Sequence, residues 1–184
     1  MDETKPLDLK LTLETAAAMT RLTFRQAVLA DTARCFEIER VAYEGDEAAT
    51  EEKIRKRIAV YPEGFLVLEV DGRIVGFING GCARQVAMSD ESFKELVGHE
   101  PDAPNVVIMS VVVDPAHQGR GYSTLLMREF VARMRRAGKA AIHLMCKSRH
   151  VDLYTKQGYR YVKLSDSTHG GMTWHEMIME LSRV

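Results

Sequence analysis

The sequence predicts an α+β domain in which helices pack on a central mixed sheet. Two β-rich segments, 65–70 and 74–79, flank Asp71-Gly72, a residue pair that accepts the positive φ angles of a two-residue hairpin turn. Residues 105–157 then alternate strand and helix patterns, as a βαβα unit does. A hairpin followed by such a unit indicates a sheet that contains both antiparallel and parallel strands.

Composition and charge narrow the class of protein. The chain has 184 residues, of which 46% are hydrophobic and 28% are charged, and its formal net charge is −1. These are the proportions of one soluble globular domain. A net charge near zero provides no basic face for nucleic acid. The longest apolar run is far shorter than the roughly 20 residues of a bilayer span. We therefore expect neither a nucleic-acid nor a membrane partner.

Cysteine usage and the N-terminal segment indicate the compartment. The three cysteines are scattered, form no Cys-x-x-Cys pair and show no zinc framework, so no bound metal is expected. Residues 1–20 carry acidic side chains, lack the apolar region of a presequence and have weak patterning. We expect them to form an N-terminal arm, which leaves 21–184 as one folded domain. These features favour a cytoplasmic protein, either a monomer or a homodimer.

One strand and two helices are predicted before the hairpin. The strand begins at Leu22, where apolar residues alternate. Asp31 is expected to be the N-cap of the first helix, which Gly45 would end. Thr50 is expected to cap the second helix, which stops before Pro62.

The second half of the chain begins with a long polar segment, 84–104, which we interpret as a functional loop or lid. It contains a short helical pattern and ends in proline. The elements that follow are predicted, in chain order, as a strand (105–113), a helix (121–137), a strand (140–146), a helix (150–157) and two final strands (159–164 and 172–181).

A glycine-containing turn joins the strand at 105–113 to its following helix. Here a buried strand breaks at Pro115 and the chain restarts as a helix after Gly119 and Gly121. The free N–H groups of a first helical turn, the helix dipole and the absence of side chains favour a bound phosphate. The P-loop lysine and the third glycine of a dinucleotide fingerprint are both absent. A turn of purely structural role would contain the same glycines, so the surrounding residues decide between the two interpretations.

The sequence Gln-Gly-Arg-Gly-Tyr-Ser at residues 118–123 resembles the pyrophosphate loop of the GCN5-related N-acetyltransferases (GNAT), which is usually Gln/Arg-x-x-Gly-x-Gly/Ala. Ser123 replaces the final small residue. The resemblance implies a seven-stranded mixed sheet, splayed between its fourth and fifth strands and flanked by about four helices. It also implies that acetyl-CoA is the cosubstrate. The residues expected to bind it are Val111, Val112, Val113, Gln118, Gly119, Arg120, Gly121, Tyr122 and Ser123.

Further segments resemble the arylalkylamine (serotonin) N-acetyltransferase branch of that superfamily, in its non-vertebrate type. The similarity extends over roughly residues 20–182 and includes Val-Gly-Phe-Ile-Asn-Gly at 75–80 and Trp-His-Glu-Met at 174–177. It implies an acetyl-CoA-dependent N-acetyltransferase that acts by direct attack of a small primary amine, an arylalkylamine or a polyamine, on the thioester. The vertebrate enzymes have two histidines on the fourth strand, whereas Val107 and Met109 occupy those places here.

That difference leaves alternatives open. One is an enzyme of the same fold whose acceptor is an amino acid, a drug amine or a protein N-terminus. Another is a non-catalytic sensor that binds acyl-CoA.

Tyr154 is the candidate general acid. The segment Leu153-Tyr154-Thr-Lys-Gln-Gly158-Tyr159 resembles the family's Phe-Tyr-x-x-x-Gly-Phe segment, in which the tyrosine protonates the leaving thiolate. A phenol with a pKa of about 10 stays protonated at pH 7 and can serve in that role. A half-buried tyrosine that only packs is the structural alternative.

Glu47 is the candidate base or amine anchor. It lies between the first two helices, a segment that borders the acceptor site in the family, although a carboxylate at a helix start also has a purely structural use. Asp46 is its neighbour. Glu37 and Glu39 are expected to be solvated partners of arginines on the first helix. Cys146 lies in an apolar strand, which should raise its pKa and make it a packing residue.

Overall fold

The computed structural model describes residues 20–43 and 47–181. The strands of these residues are β1 (Leu22–Gln26), β2 (Phe65–Val70), β3 (Arg73–Ala83), β4 (Asn105–Val113), β5 (Ala141–Cys146), β6 (Arg160–Leu164) and β7 (His175–Glu180). The α-helices are α1 (Thr32–Ala42), α2 (Glu51–Val60), α3 (Tyr122–Arg136) and α4 (Val151–Lys156). The predicted arm, apart from residue 20, lies outside the described residues, as do Gly45 and Asp46.

The strands form one seven-stranded sheet in the order β1-β2-β3-β4-β5-β7-β6. Every described neighbouring pair is antiparallel except β4 and β5, which are parallel. That pair holds together only between residues 105–107 and 141–143. Beyond them β5 stays bonded to β7 while the outer half of β4 has β3 alone. The sheet is therefore splayed between its fourth and fifth strands, and the predicted fold is confirmed.

Strand β4 also contains a bulge in the region of the splay. The β3–β4 register pairs Asn79 with Ser110 and Gly80 with Ile108, so Met109 has no partner on β3. An extra residue of this kind bends a strand and redirects its side chains, and such bulges are frequent beside active sites.

Helices cover both faces of the sheet. On one face α1 and α2 bury Ile38 and Ile54 against strand residues such as Phe77. On the other face the inward side chains of α3 recur every four residues, as an amphipathic helix requires. They are Tyr122, Leu126, Phe130 and Met134, all of them buried. The sheet is thus packed between two apolar layers.

The hairpin prediction is correct in its turn as well as its strands. Asp71 and Gly72 both have positive φ, 50° and 79°, which are the angles of the turn that joins closely paired antiparallel strands. Strand β3 continues to Ala83, beyond the predicted end at residue 79, because β4 pairs with it over that length.

The two predicted helix caps have different outcomes. The Thr50 hydroxyl accepts a hydrogen bond from the Lys53 amide at 3.3 Å, so this cap is confirmed. Asp31 precedes α1, but its carboxylate accepts from the Val28 amide at 2.8 Å and pairs with Arg25 instead of the helix. Asp31 therefore occupies the predicted N-cap position of α1, but its side chain forms no capping hydrogen bond with the helix. Across the described ranges, no helix is long and apolar enough to cross a membrane.

Candidate active site

A central cavity of about 690 Å³ opens where β4 and β5 diverge. Its wall is built from α1, α2, part of the 84–104 segment, residues 107–113 of β4, the glycine turn, the end of β5 and α4. Glu47, Tyr154 and most of the predicted cosubstrate residues lie in this one wall. The predicted lid contributes Phe93 and Lys94 from a short 3₁₀ helix, Glu91–Glu95.

The glycine turn has the shape of a cradle for an anion. Gly119 and Gly121 have φ angles of +76° and +78°, and a Cβ atom added to either would meet no protein atom within 4 Å. Gly121 is the N-cap of α3 and supplies no side-chain cap, so the first amides of the helix are free for a ligand. Gln118 ties the turn to the sheet, because its side-chain amide donates to the Val113 carbonyl at 3.0 Å. These features fit the pyrophosphate of acetyl-CoA.

The outer half of β4 leads from this turn into the cavity. Residues 111–113 bond β3 along one edge and face the cavity along the other. The open edge can pair with the amide groups of an extended ligand, as one more strand would. Tyr43, a residue missed in the sequence, donates its hydroxyl to the Val111 carbonyl at 3.2 Å. Arg120 is exposed and lies outside the cavity wall.

Tyr154 is half-buried in α4, and its ring meets that of Tyr159 edge to face at 5.8 Å. Burial raises the pKa of Tyr154 to about 12. Tyr154 lies in the cavity wall, and its hydroxyl forms no hydrogen bond with a described residue. A phenol that stays protonated and has no protein partner is suited to donate a proton to a ligand. Cys146 packs nearby with its pKa raised by burial to about 11, as the sequence predicts.

Glu47 is held by a cation. Its Oε1 atom lies 2.8 Å from the Nζ atom of Lys147, which follows β5, while its Oε2 atom is buried with no hydrogen-bond partner in the described residues. The side chain is only 6% exposed. An acceptor ammonium could reach Glu47 only at the free oxygen or by displacing Lys147.

Glu39 contradicts the expectation of a solvated carboxylate. It is buried on the inner face of α1 and lies in the cavity wall. Its Oε1 atom accepts from the Ala49 amide at 2.8 Å and from the Ser110 hydroxyl at 3.3 Å. Burial raises its pKa. Its position one turn after buried Cys35 is the sequence signal that could have identified it. Glu37, in contrast, does pair with Arg34, at 2.8 Å.

Strand β4 contributes no histidine to the cavity wall. Val107 and Met109 line the cavity there with apolar side chains. His150 and His169 lie in other parts of the wall, and the Nδ1 atom of His169 is 3.0 Å from Glu91. Among residues 20–43 and 47–181, no three His, Cys, Asp or Glu side chains are arranged to hold a metal ion.

Solved structures share this architecture. The loading GNATL domain of CurA from Lyngbya majuscula superposes with a TM-score of 0.77 at 15% identity, covering 88% of this chain and 98% of that one. The GphF GNAT-like decarboxylase in complex with isobutyryl-CoA has a TM-score of 0.77 at 17% identity, covering 87% and 100%. YncA from Salmonella typhimurium with its cofactor acetyl-CoA has a TM-score of 0.66 at 23% identity, covering 89% and 96%. These likenesses establish the fold.

Family membership follows from the sequence itself. The model of the acetyltransferase (GNAT) family matches residues 26–159, a span that contains the splayed strands, the glycine turn and Tyr154. The chain therefore belongs to the acetyltransferase (GNAT) family.

Proposed function

We propose that the protein transfers the acetyl group of acetyl-CoA to the nitrogen of a small primary amine. One observation carries the proposal: a single cavity unites a glycine cradle for phosphate, an open strand edge, a protonated tyrosine and buried carboxylates. GphF and YncA hold isobutyryl-CoA and acetyl-CoA, which supports a CoA-thioester site in the same cleft. Acetyl-CoA would supply the activated acyl group.

Each step of the proposed reaction is assigned to residues of the cavity wall. We expect the glycine turn and β4 to hold the donor with its thioester toward Tyr154, since all three line one cavity. The amine nitrogen attacks the thioester carbonyl, a C–N bond forms and the C–S bond breaks. Tyr154 gives its proton to the departing thiolate, and the proton that the nitrogen loses as the amide forms restores the phenol. The acceptor must first lose an ammonium proton, for which Glu47 and Glu39 are the buried carboxylates of the cavity wall; Asp90, the third carboxylate of that wall, is exposed.

The walls of the cavity bear on which amine is accepted. Phe93 and Trp174 contribute aromatic surface, and Met88, Met109 and Met172 contribute flexible apolar surface. These groups suit an arylalkyl chain better than a polyamine, whose second ammonium would lie against apolar surface. An amine with an arylalkyl chain, as the predicted arylalkylamine has, is therefore the proposed acceptor, with a polyamine as the weaker option.

The proposed activity is tested by following CoA thiol release with a panel of amines. The panel should contain arylalkylamines, polyamines, amino acids and a peptide with a free N-terminus. We expect amine-dependent thiol release with at least one class. Tight acetyl-CoA binding without release by any amine would favour an acyl-CoA sensor. Release that is independent of amine would indicate thioester hydrolysis.

Replacing Glu47 with Gln should raise the KM of the acceptor about tenfold, since a hydrogen bond to a charged partner contributes roughly 1.5–3 kcal/mol. The KM of acetyl-CoA should not change. Glu52→Gln, on the exposed first turn of α2, is the matched control. An unchanged acceptor KM in Glu47→Gln would mean that Lys147 occupies this carboxylate throughout the reaction.

The rate should rise with pH from 6 to 9.5. An alkylammonium has a pKa of about 10.4, so the reactive free amine increases over this range. Tyr154 does not lose its proton there because its pKa is raised to about 12. Measurement of kcat/KM across this range tests the expectation. A plateau that begins near pH 6.5 would instead implicate a histidine, with His150 and His169 of the cavity wall as the first to be replaced.

A further inference from the structure

The lysines of the central cavity wall are already paired. A carboxylate oxygen lies within 3.2 Å of each of the three ammonium groups. The pairs are Lys53 with Glu95 at 3.0 Å, Lys94 with Glu91 at 3.2 Å, and Lys147 with Glu47 at 2.8 Å. These cations therefore do not demand an anion from a ligand.

Arg57 differs from them. It lies on α2 in the same wall and is only 4% exposed. Its Nε and Nη2 atoms donate to the Lys94 carbonyl at 3.3 and 3.1 Å, and its Nη1 atom donates to the Asn79 side chain at 3.4 Å. Two of the five guanidinium N–H groups remain without an acceptor in these contacts. Within the part of the chain that the structure describes, no carboxylate oxygen lies within 4.0 Å of it.

Glu39 is the counterpart of opposite charge. Its two hydrogen-bond donors, the Ala49 amide and the Ser110 hydroxyl, are both neutral. Its Oε2 atom is buried and has no partner in the described residues. Burial is the main influence on both groups, because it raises the pKa of Glu39 and lowers that of Arg57, each against the attraction of the other.

A buried guanidinium and a buried carboxyl group that lack an ion-pair partner in the described residues are costly unless a ligand completes them. A simple arylalkylamine would complete Glu39 and leave Arg57 unmatched. A polyamine would add a second cation to a wall whose remaining charge is already positive. A molecule with both an ammonium and a carboxylate would neutralise both groups, and a guanidinium binds a carboxylate with two parallel hydrogen bonds where geometry allows.

We propose that the acceptor is an amino carboxylate, whose ammonium is bound by the free oxygens of Glu39 and Glu47 and whose carboxylate is bound by Arg57. This inference rests on the proposed acetyl transfer and specifies its acceptor: an aromatic or apolar amine that retains a carboxyl group. Glu39 is then the proton acceptor of the amine, and Arg57 determines specificity.

Matched acceptors that differ only in the carboxylate test the inference on the unmodified protein. Phenylalanine is compared with phenethylamine, and lysine with cadaverine, by kcat/KM for thiol release. In the pair that reacts faster, we expect kcat/KM to be at least tenfold higher for the acceptor with the carboxylate than for the amine without it. Equal rates, or a preference for the decarboxylated amine, would overturn the inference while leaving acetyl transfer intact. Failure of all four acceptors and of the wider amine panel would instead count against the proposed function.

Variants of α2 test whether Arg57 is responsible for the preference for acceptors with a carboxylate. Arg57→Gln should lower kcat/KM for phenylalanine at least tenfold more than it lowers kcat/KM for phenethylamine, while Arg57→Lys should keep part of the difference. Arg55→Gln removes an exposed charge from the same helix and is the control. A preference that survives in a folded Arg57→Gln variant would overturn the assignment of Arg57.

Binding provides a second readout that does not depend on turnover. The thermal unfolding midpoint should rise more with N-acetylphenylalanine than with N-acetylphenethylamine in the presence of CoA, and only where Arg57 is present. Equal shifts with the two compounds would contradict carboxylate recognition.

Discussion

Replacing Tyr154 with Phe is expected to lower kcat by about 10²-fold and to leave the affinity for acetyl-CoA unchanged. General acid catalysis contributes typically 10²–10⁴-fold, and the lower end applies if water partly replaces the phenol. The ring of Tyr154 would keep its edge-to-face contact with Tyr159, so the variant removes the proton and little of the packing. Steady-state kinetics at saturating acceptor, together with calorimetric binding of acetyl-CoA, measure the two quantities.

Tyr159→Phe is the matched control for that experiment. Its ring is the partner of Tyr154, but its hydroxyl is buried with no described hydrogen-bond partner and lies outside the cavity wall. Removing that hydroxyl should therefore leave kcat within about threefold of the parent. If Tyr154→Phe also stays within threefold, solvent protonates the thiolate and Tyr154 is not the acid.

Replacing Gly121 with Val should weaken acetyl-CoA binding by about 100-fold. The Cβ position at Gly121 is empty of protein atoms, so a side chain there would occupy the space that the phosphates need. Each lost hydrogen bond between an amide and a charged phosphate contributes roughly 1.5–3 kcal/mol, and one or two such losses account for the expected change. Isothermal titration with acetyl-CoA measures it.

A second glycine separates phosphate exclusion from backbone strain. Gly138, after α3, has φ +71° and is equally open, but it lies outside the cavity wall. Gly138→Val imposes a similar strain and should leave the acetyl-CoA affinity unchanged. Arg120→Ala should weaken binding only slightly and reduce its dependence on salt. Equal loss of affinity in Gly121→Val and Gly138→Val would show that backbone strain weakens binding. It would contradict the exclusion of a phosphate at Gly121.

Local signals explain why most of the fold could be predicted. The β2–β3 hairpin is defined by Asp71-Gly72. Helix α3 is defined by the spacing of its apolar residues and by the glycine that follows it. Asp31 was the exception, because an aspartate before a helix has the right chemistry for a cap. Its carboxylate instead forms an ion pair with Arg25 on β1, a contact that arises only when β1 and the start of α1 pack together.

The candidate site was predictable where its residues form a motif and not where they meet by folding. Gly121 and Tyr154 stand in recognisable segments and reach the same cavity. Glu39 looks solvated in the sequence, and only the packing of α1 against Ser110 of β4 buries it. Arg57 has its acceptor at Lys94, 37 residues away, so no local pattern indicates that it is buried. Sequence patterns therefore do not predict those charged residues of the site that are buried by long-range contacts.

Transfer of a labelled acetyl group tests the central claim most directly. Acetyl-CoA carrying ¹³C at the carbonyl is mixed with the enzyme and the best acceptor of the panel, and the carbonyl resonance is followed by NMR. We predict that the thioester signal is replaced by an amide signal in proportion to the thiol released, and that Tyr154→Phe slows both changes equally. Label that stays in the thioester, or that appears as free acetate, would contradict amine acetylation by this cavity.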